Sequence, residues 1–381
     1  MTQKSVSGTD LTQVGVIGLG IMGAGIVEVF SAQGFQVVGI AESKLAVDQG
    51  KQNLTNSLTR ALAKQKLTQL EVDQIQARVT WSEDFSELAD CDLIIEAAPE
   101  SLALKQTIFK QIDEVAKPSA VLATNTSSLS VTEIASATNR PSQVLGFHFF
   151  NPAPIQKFVE LVATPLTTPE VISDALNVGR KLNKYVAQVA DQPGFIVNKL
   201  LLVYLNHAVQ ILDLKKATIL DIDSAMRELA GYPMGPLELA DLIGLDTCVE
   251  ILKTIYSDSG NHLHKPAAGL TDLLAGGHKG RKTGSGFYNY SPKPEIPTSP
   301  NTALKNEIYL ELETAYLGNA IEMEASGYAS KADIDNGMKL GCGLPAGPFE
   351  RIEVIGINEV RDRQAKLAQT SGHSEYAPLP L

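Results

Sequence analysis

The chain has 381 residues, 44% of them hydrophobic and 20% charged. That is an ordinary globular composition, with material for two or three domains at roughly 100–200 residues each. Its 43 acidic side chains outnumber 32 basic ones, for a formal net charge of -11. A field of that sign repels phosphate backbones and anionic bilayers, so neither nucleic acid nor a membrane is expected as a partner. Three scattered cysteines, Cys91, Cys248 and Cys342, form neither a disulfide framework nor a zinc pattern and fit a reducing cytoplasm. Val14 to Val27 is the most apolar stretch, shorter than the ~20 residues of a helical span. Behind Lys4 it has the outline of a secretory signal, but Gly18, Gly20, Gly23 and Gly25 inside it point elsewhere.

In chain order, VGVIG at 14–18 predicts a short buried strand, Met22 to Gln33 a helix closed by Gly34, and Gln36–Ile40 a second strand. Strand–helix–strand is the unit of a parallel sheet. Helices are expected over 44–66, 68–77, 101–116 and 169–183. Strands are expected at Leu93–Ile95, Val121–Ala123, Val144–His148, Phe158–Val162 and Val186–Val189. This alternation predicts a doubly wound α/β domain over residues 1–190. From Gly194 the pattern turns helical (196–214, 218–229, 236–256), which gives an all-α domain over 191–290. The proline-rich residues 291–302 read as a semi-rigid linker.

After the linker the helical unit recurs. Shifted by 112 residues, Tyr204–Asp246 overlays Tyr316–Asn358 without a gap at 15 identities in 43 positions, too many for chance, so residues 303–381 are read as a duplicated copy forming a third domain. The copy has no glycine fingerprint, and Leu310 stands where the first copy has Asn198. It is therefore read as scaffold.

Gly18-Leu19-Gly20-Ile21-Met22-Gly23 leaves a strand and opens a helix, the setting in which G-x-G-x-x-G binds a dinucleotide. Gly18 permits the tight turn, Gly20 the approach of a pyrophosphate, and Gly23 close helix–sheet packing. The first domain is therefore Rossmann-like. An acid gripping the adenosine ribose belongs at the end of the second strand. Ala41 stands there and Glu42 follows, so Glu42 with NAD is the expectation, and Ser43 with Lys44 holding the 2′-phosphate of NADP is the rival. Asn125-Thr126-Ser127-Ser128 follows another strand; Ser128 or Ser130 reads as a helix cap, and Ser127 stays open between capping and a site role. His148 ends the strand GFHFF, and Glu160 interrupts the apolar run KFVEL. An imidazole suits reversible proton transfer near neutral pH, and a carboxylate beside it orients the ring and stabilises its protonated form. Asn198 lies in the first turn after a Pro-Gly corner, near the expected inter-domain cleft. His262 and His264 are expected in an exposed loop, with no third ligand and no metal. Arg281-Lys282 lies in a basic glycine-rich turn that either faces solvent or reaches an anionic ligand.

Together GLGIMG, EAAPESLALK, NTSSL, GFHFFNPAP, KFVELV, DQPGFIVNKLL, GYPMGPLELADLIGLD and GRKTGSGFY resemble the L-3-hydroxyacyl-CoA dehydrogenase family, including its 3-hydroxybutyryl-CoA dehydrogenases, over about residues 12–290. The resemblance implies reversible oxidation of the 3-hydroxyl of an L-3-hydroxyacyl-CoA to the 3-keto thioester, with NAD as hydride acceptor. It implies His148 as the base, Glu160 as its orienting acid, and Ser127 and Asn198 as positioning groups. It places Glu100, Lys105, Ser127, Asn151 and Lys282 around the nicotinamide half of the cofactor, and Ser57 and Lys64 against coenzyme A. Simple members dimerise through the helical domain, whereas larger relatives carry two such units. The repeat here suggests a monomer with an internal pseudo-dimer, the homodimer being the alternative. The wider β-hydroxyacid dehydrogenases share the GLGxMG opening but use a lysine with an asparagine four residues on; Lys199 is followed by Val203 at that spacing. An inactive acyl-CoA- or dinucleotide-binding relative is the non-enzymatic alternative.

Overall fold

A computed structural model of the chain describes residues 11–291 and 297–380 and divides into two units, Met1–Asp191 and Gln192–Leu381. Lys4 and residues 292–296 of the expected linker lie outside the described residues.

The first unit is a sheet with helices between its strands. Strands β1 (Gln13–Ile17), β2 (Gln36–Ile40), β3 (Val79–Ser82), β4 (Leu93–Glu96), β5 (Val121–Thr124), β6 (Val144–Phe149), β7 (Phe158–Ala163) and β8 (Tyr185–Ala190) lie in the order β3-β2-β1-β4-β5-β6-β7-β8. Neighbours pair parallel except β6 with β7, which pair antiparallel. Strands β4, β5 and β6 are buried along their whole length, which is why they read as apolar runs and not as alternating patterns. Strand β3 escapes the sequence reading because VTWS at the sheet edge is half-exposed and has no apolar run.

Six helices join the strands: α1 (Ile21–Ala32), α2 (Lys44–Ala63), α3 (Gln69–Ala77), α4 (Leu102–Val115), α5 (Val131–Ala135) and α6 (Pro169–Lys181). Helix α2 stops short of the expected residue 66 because Lys64 caps it and Gln65 turns to a positive φ of 56°. Ser130 caps α5, accepting from the Glu133 N–H. Asp191 also secures that end, accepting from the Val131 and Thr132 N–H groups at 2.9 and 2.7 Å, so the first unit runs to Asp191 and not 190.

The second unit is helical. Its elements are α7 (Val197–Asp213), α8 (Ile219–Leu229), α9 (Pro236–Ile243), α10 (Leu245–Ser259), α11 (Ala268–Ala275), α12 (Thr302–Ala325), α13 (Lys331–Asn336), α14 (Pro348–Ile355) and α15 (Ile357–Ser371). The single helix expected over 236–256 is broken by Gly244, whose φ of 105° no side chain tolerates well. Displaced by 112 residues, α9 and α10 coincide with α14 and α15, and Gly244 with Gly356 at a φ of 91°. Asp223 accepts from the Leu237 N–H at 2.8 Å, and its counterpart Asp335 accepts from Phe349 at 2.7 Å. The duplication is therefore one of structure as well as sequence.

The expectation of a separate third domain is corrected, because the copy and the original form one unit. Ring centroids of Tyr204 and Tyr316 lie 6.1 Å apart, and Lys305 Nζ lies 2.6 Å from Glu228. The later part of the expected linker is not a spacer either. Ser299 is buried, donates to Asp221 and receives Ser224 as acceptor for its own N–H. Buried polar partners hold that backbone to α8 where composition alone suggested a semi-rigid linker.

Candidate active site

The glycine turn has the geometry its sequence demands. Gly18 has a φ of 88°, and a Cβ there would meet the Ala97 and Ala98 backbone at 2.7 Å. A Cβ on Gly23 would sit 1.7 Å from Gly18 O, whereas around Gly20 nothing lies within 4 Å. Gly20 also leads into α1 with no side-chain cap. Open space over an uncapped helix start is what a pyrophosphate requires. Glu42 is exposed just past β2, and Gly18 N–H donates to Ile40 O at 2.9 Å, so the fingerprint and that strand end are adjacent. Ser43 is occupied as the cap of α2, accepting from the Ala46 N–H at 3.3 Å.

The ends of β4 and β5 meet in a polar network. Glu100 accepts from Thr126 Oγ1 at 2.6 Å, Ser127 N–H at 2.9 Å and Ser128 N–H at 3.1 Å; Ser127 Oγ lies 3.4 Å from the same oxygen. Burial alone pushes the Glu100 pKa up, but Lys105 and these hydrogen bonds outweigh it and hold the carboxyl below its ordinary value. Of the two candidate caps Ser128 and Ser130, Ser130 takes the helix end, and Ser128 donates its hydroxyl to Glu100 at 3.2 Å.

Lys105, expected at the nicotinamide, is 1% exposed. Its ammonium lies 2.8 and 3.0 Å from the two oxygens of Glu96 and 3.5 Å from Glu100. Its charge is therefore directed at these two carboxylates. Sequence reasoning missed Glu96, which is fully buried and also accepts from Thr124 Oγ1 at 2.7 Å and Ala98 N–H at 2.6 Å. The missed signal was an acid closing the apolar strand LIIE, the same signal that picked out Glu160. Asn125 Oδ1 accepts from Phe149 N–H at 2.8 Å and ties the end of β5 to that of β6.

His148 and Glu160 are register partners across β6 and β7. Their Nδ1 and Oε2 atoms lie 2.7 Å apart, with both residues buried. The Phe150 ring, 4.6 Å from the imidazole, limits water on one side. His148, the Glu100–Ser127 network and the glycine turn sit at the carboxyl ends of parallel strands, where open α/β sheets take their ligands, and the antiparallel β7 brings Glu160 to that edge near its own amino end.

Residues 13–192 match the model of the 3-hydroxyacyl-CoA dehydrogenase NAD binding domain, and residues 194–290 and 311–381 that of the 3-hydroxyacyl-CoA dehydrogenase C-terminal domain. The chain belongs to the 3-hydroxyacyl-CoA dehydrogenase family. The 3-hydroxybutyryl-CoA dehydrogenase of Clostridioides difficile is 39% identical over 279 residues, covering 73% of this chain and 99% of the relative. The human mitochondrial hydroxyacyl-coenzyme A dehydrogenase is 39% identical over 284 residues, covering 73% and 90%. The crystal structure of 3-hydroxybutyryl-CoA dehydrogenase from Escherichia coli K12 aligns with a TM-score of 0.91 at 28% identity and covers 97% of both chains. As a 3-hydroxyacyl-CoA dehydrogenase the protein is an NAD-dependent oxidoreductase of 3-hydroxyacyl-CoA thioesters.

The remaining site expectations for this dehydrogenase fall on both units. Asn151 and Ser57 line one cleft of about 270 Å³, together with Glu28, Arg60 and Asn53. Lys64 is exposed at the C-terminal cap of α2 and is not among that cleft's residues. In the second unit Asn198 is the second residue of α7 and half-buried. Lys282 is ion-paired with Asp246, and Arg281 lies 2.7 Å from Glu238. Arg281 and Lys282 therefore both have carboxylate partners within their own unit.

The expectation that His264 is exposed is corrected. It is buried, with Nδ1 2.7 Å from Ser259 Oγ, and burial lowers its pKa to about 4. His262 is exposed as expected. Among the described residues no group of three potential ligands could hold a metal, and no helix is long and apolar enough to cross a membrane.

Proposed function

We propose that His148 is the acid–base group of the dehydrogenase and takes the proton of the substrate 3-hydroxyl. The observation that carries this is the buried 2.7 Å pairing of its Nδ1 with Glu160. That pairing orients the ring, favours the imidazolium formed during oxidation and makes Nε2 the nitrogen that exchanges the proton. Bound NAD supplies the two-electron acceptor. Gly18, Gly20 and Gly23 seat its pyrophosphate, Glu42 takes the adenosine ribose, and Glu100, Asn151 and Lys282 surround the nicotinamide half, with Lys105 setting Glu100 from beneath. Ser127 and Asn198 orient the reacting oxygen and the imidazole, the alignment that makes a bound pair react as one molecule. Ser57 and Lys64 take coenzyme A.

The second helical copy serves as the partner that a simple family member would obtain from another subunit, and the protein acts as a cytoplasmic monomer. The packing of copy against original within one unit supports this, as does the sparse, scattered set of three cysteines for the compartment.

The test is the fall in reduced-nicotinamide absorbance with acetoacetyl-CoA. Wild type should turn over, and His148→Gln should lose activity while keeping its circular dichroism. Full activity in the variant would remove His148 from the mechanism, and an inert wild type would favour a binding role.

A further inference from the structure

The two helical copies meet through matched positions that differ in charge, with Lys199 and Glu311 of opposite sign. Under the 112-residue shift Lys199 corresponds to Glu311, His207 to Asn319, Gln210 to Glu322 and Lys216 to Tyr328. Tyr204 and its own counterpart Tyr316 touch at 6.1 Å. A residue in contact with its counterpart marks a pseudo-two-fold axis, and the flanking contacts obey that axis. Lys199 Nζ lies 4.5 Å over the Tyr328 ring, and the charge of Glu322, ahead of that of Asp258, offsets the effect of burial on it. On the symmetry-related side Glu311 lies 3.2 Å from His207 Nε2 and 3.3 Å from Lys216 Nζ. Position for position the geometry is repeated while the sign of the charge is exchanged.

We propose that this exchange is a pairing code: it makes the first helical copy complementary to the second and mismatched with itself. An isologous contact between two first copies would place each Lys199 against His207 and Lys216 of the other, a like-charge encounter made twice by symmetry. Two second copies would place each Glu311 against Glu322. Only the mixed pairing sets lysine against glutamate and an aromatic face on one side, and glutamate against lysine and histidine on the other. Like charges in a partly buried interface are strongly unfavourable, so selectivity comes as much from the excluded pairings as from the allowed one. Glu311 is pushed up by burial, yet His207 and Lys216 bring its pKa below the ordinary value. The α7 face is thereby satisfied inside one chain and closed to the same face of another. This rests on the reading of the second copy as a stand-in partner.

Full-length wild type, Glu311→Lys and Glu311→Lys/Lys216→Glu are compared by sedimentation velocity over a concentration series and by thermal unfolding. In Glu311→Lys the mixed pairing becomes repulsive and the second copy becomes self-complementary through Glu322. Its self-association should rise on the order of tenfold with a lowered midpoint, and the double variant, which restores an unlike pair at 216 and 311 inside the chain, should recover the midpoint. If Glu311→Lys is silent, or loses stability without gaining association, or is not rescued, the code is refuted while the stand-in reading survives. A wild type that dimerises tightly through 192–290 refutes both.

Discussion

His148 and Glu160 face each other as paired residues at the one antiparallel step of the sheet, with Nδ1 and Oε2 2.7 Å apart. Because β7 turns back beside β6, an acid twelve positions later in sequence returns to the level of the histidine. A parallel neighbour would have needed a crossover to do the same. Substituting Glu160 by Gln keeps the shape and removes the charge that supports the imidazolium. We expect kcat to fall by about 10²–10⁴ with a much smaller change in KM, read by steady-state kinetics with acetoacetyl-CoA. A change confined to KM would show that Glu160 serves binding and not proton transfer.

The Glu96–Lys105 pair is buried on both sides, at 0% and 1% exposure. Lys105→Met leaves Glu96 charged and partly unmatched in the core, which should cost about 3–5 kcal/mol in denaturant unfolding. Glu96→Gln/Lys105→Met should recover much of that loss, since neither partner is then left as a lone buried ion. Equal stabilities for wild type and Lys105→Met would contradict the account.

Glu28, on α1 beneath the Ser57 cleft, has the opposite electrostatics to Glu100. Burial raises its pKa above the ordinary 4.5, only partly offset by the Ser57 hydrogen bond and by Arg60, and its Oε2 has no hydrogen-bond partner among the described residues. A carboxyl whose folded pKa is raised costs nothing below its unfolded value, and stability is lost as pH rises through the folded one. Glu28→Gln should therefore raise the thermal midpoint at neutral pH and leave it unchanged near pH 4. Unfolding scans at the two pH values decide this.

His264 gives an acid-side signal. Buried and neutral, with its pKa lowered from 6.5 to about 4, it must stay unprotonated for the fold to keep its stability. That stability is complete above 6.5 and is lost as pH falls toward 4, to the extent of about 3 kcal/mol. His264→Gln should flatten the midpoint-against-pH curve in that window, and an unaltered slope would assign the acid sensitivity to other groups.

The local pattern of the chain settled much of this. GLGIMG between two apolar runs dictates a turn that only glycine can make, and its φ of 88° at Gly18 follows from chain stereochemistry. The acid inside KFVEL and the histidine ending GFHFF were legible because a charge in an apolar strand demands a partner. The repeat was legible as identity at one fixed shift. Folding alone decided which partner each charge found. Lys105 sits on an exposed-looking helix motif and turns inward to Glu96, Ser128 turns to Glu100 and leaves the helix end to Ser130, and His264 is enclosed by α7 and α10 neighbours. The joining of the two helical copies into one unit was likewise decided by folding. Propensity and periodicity act over a few turns of chain, whereas burial and ion pairing couple residues as far apart as Lys216 and Glu311, whose proximity no local pattern encodes.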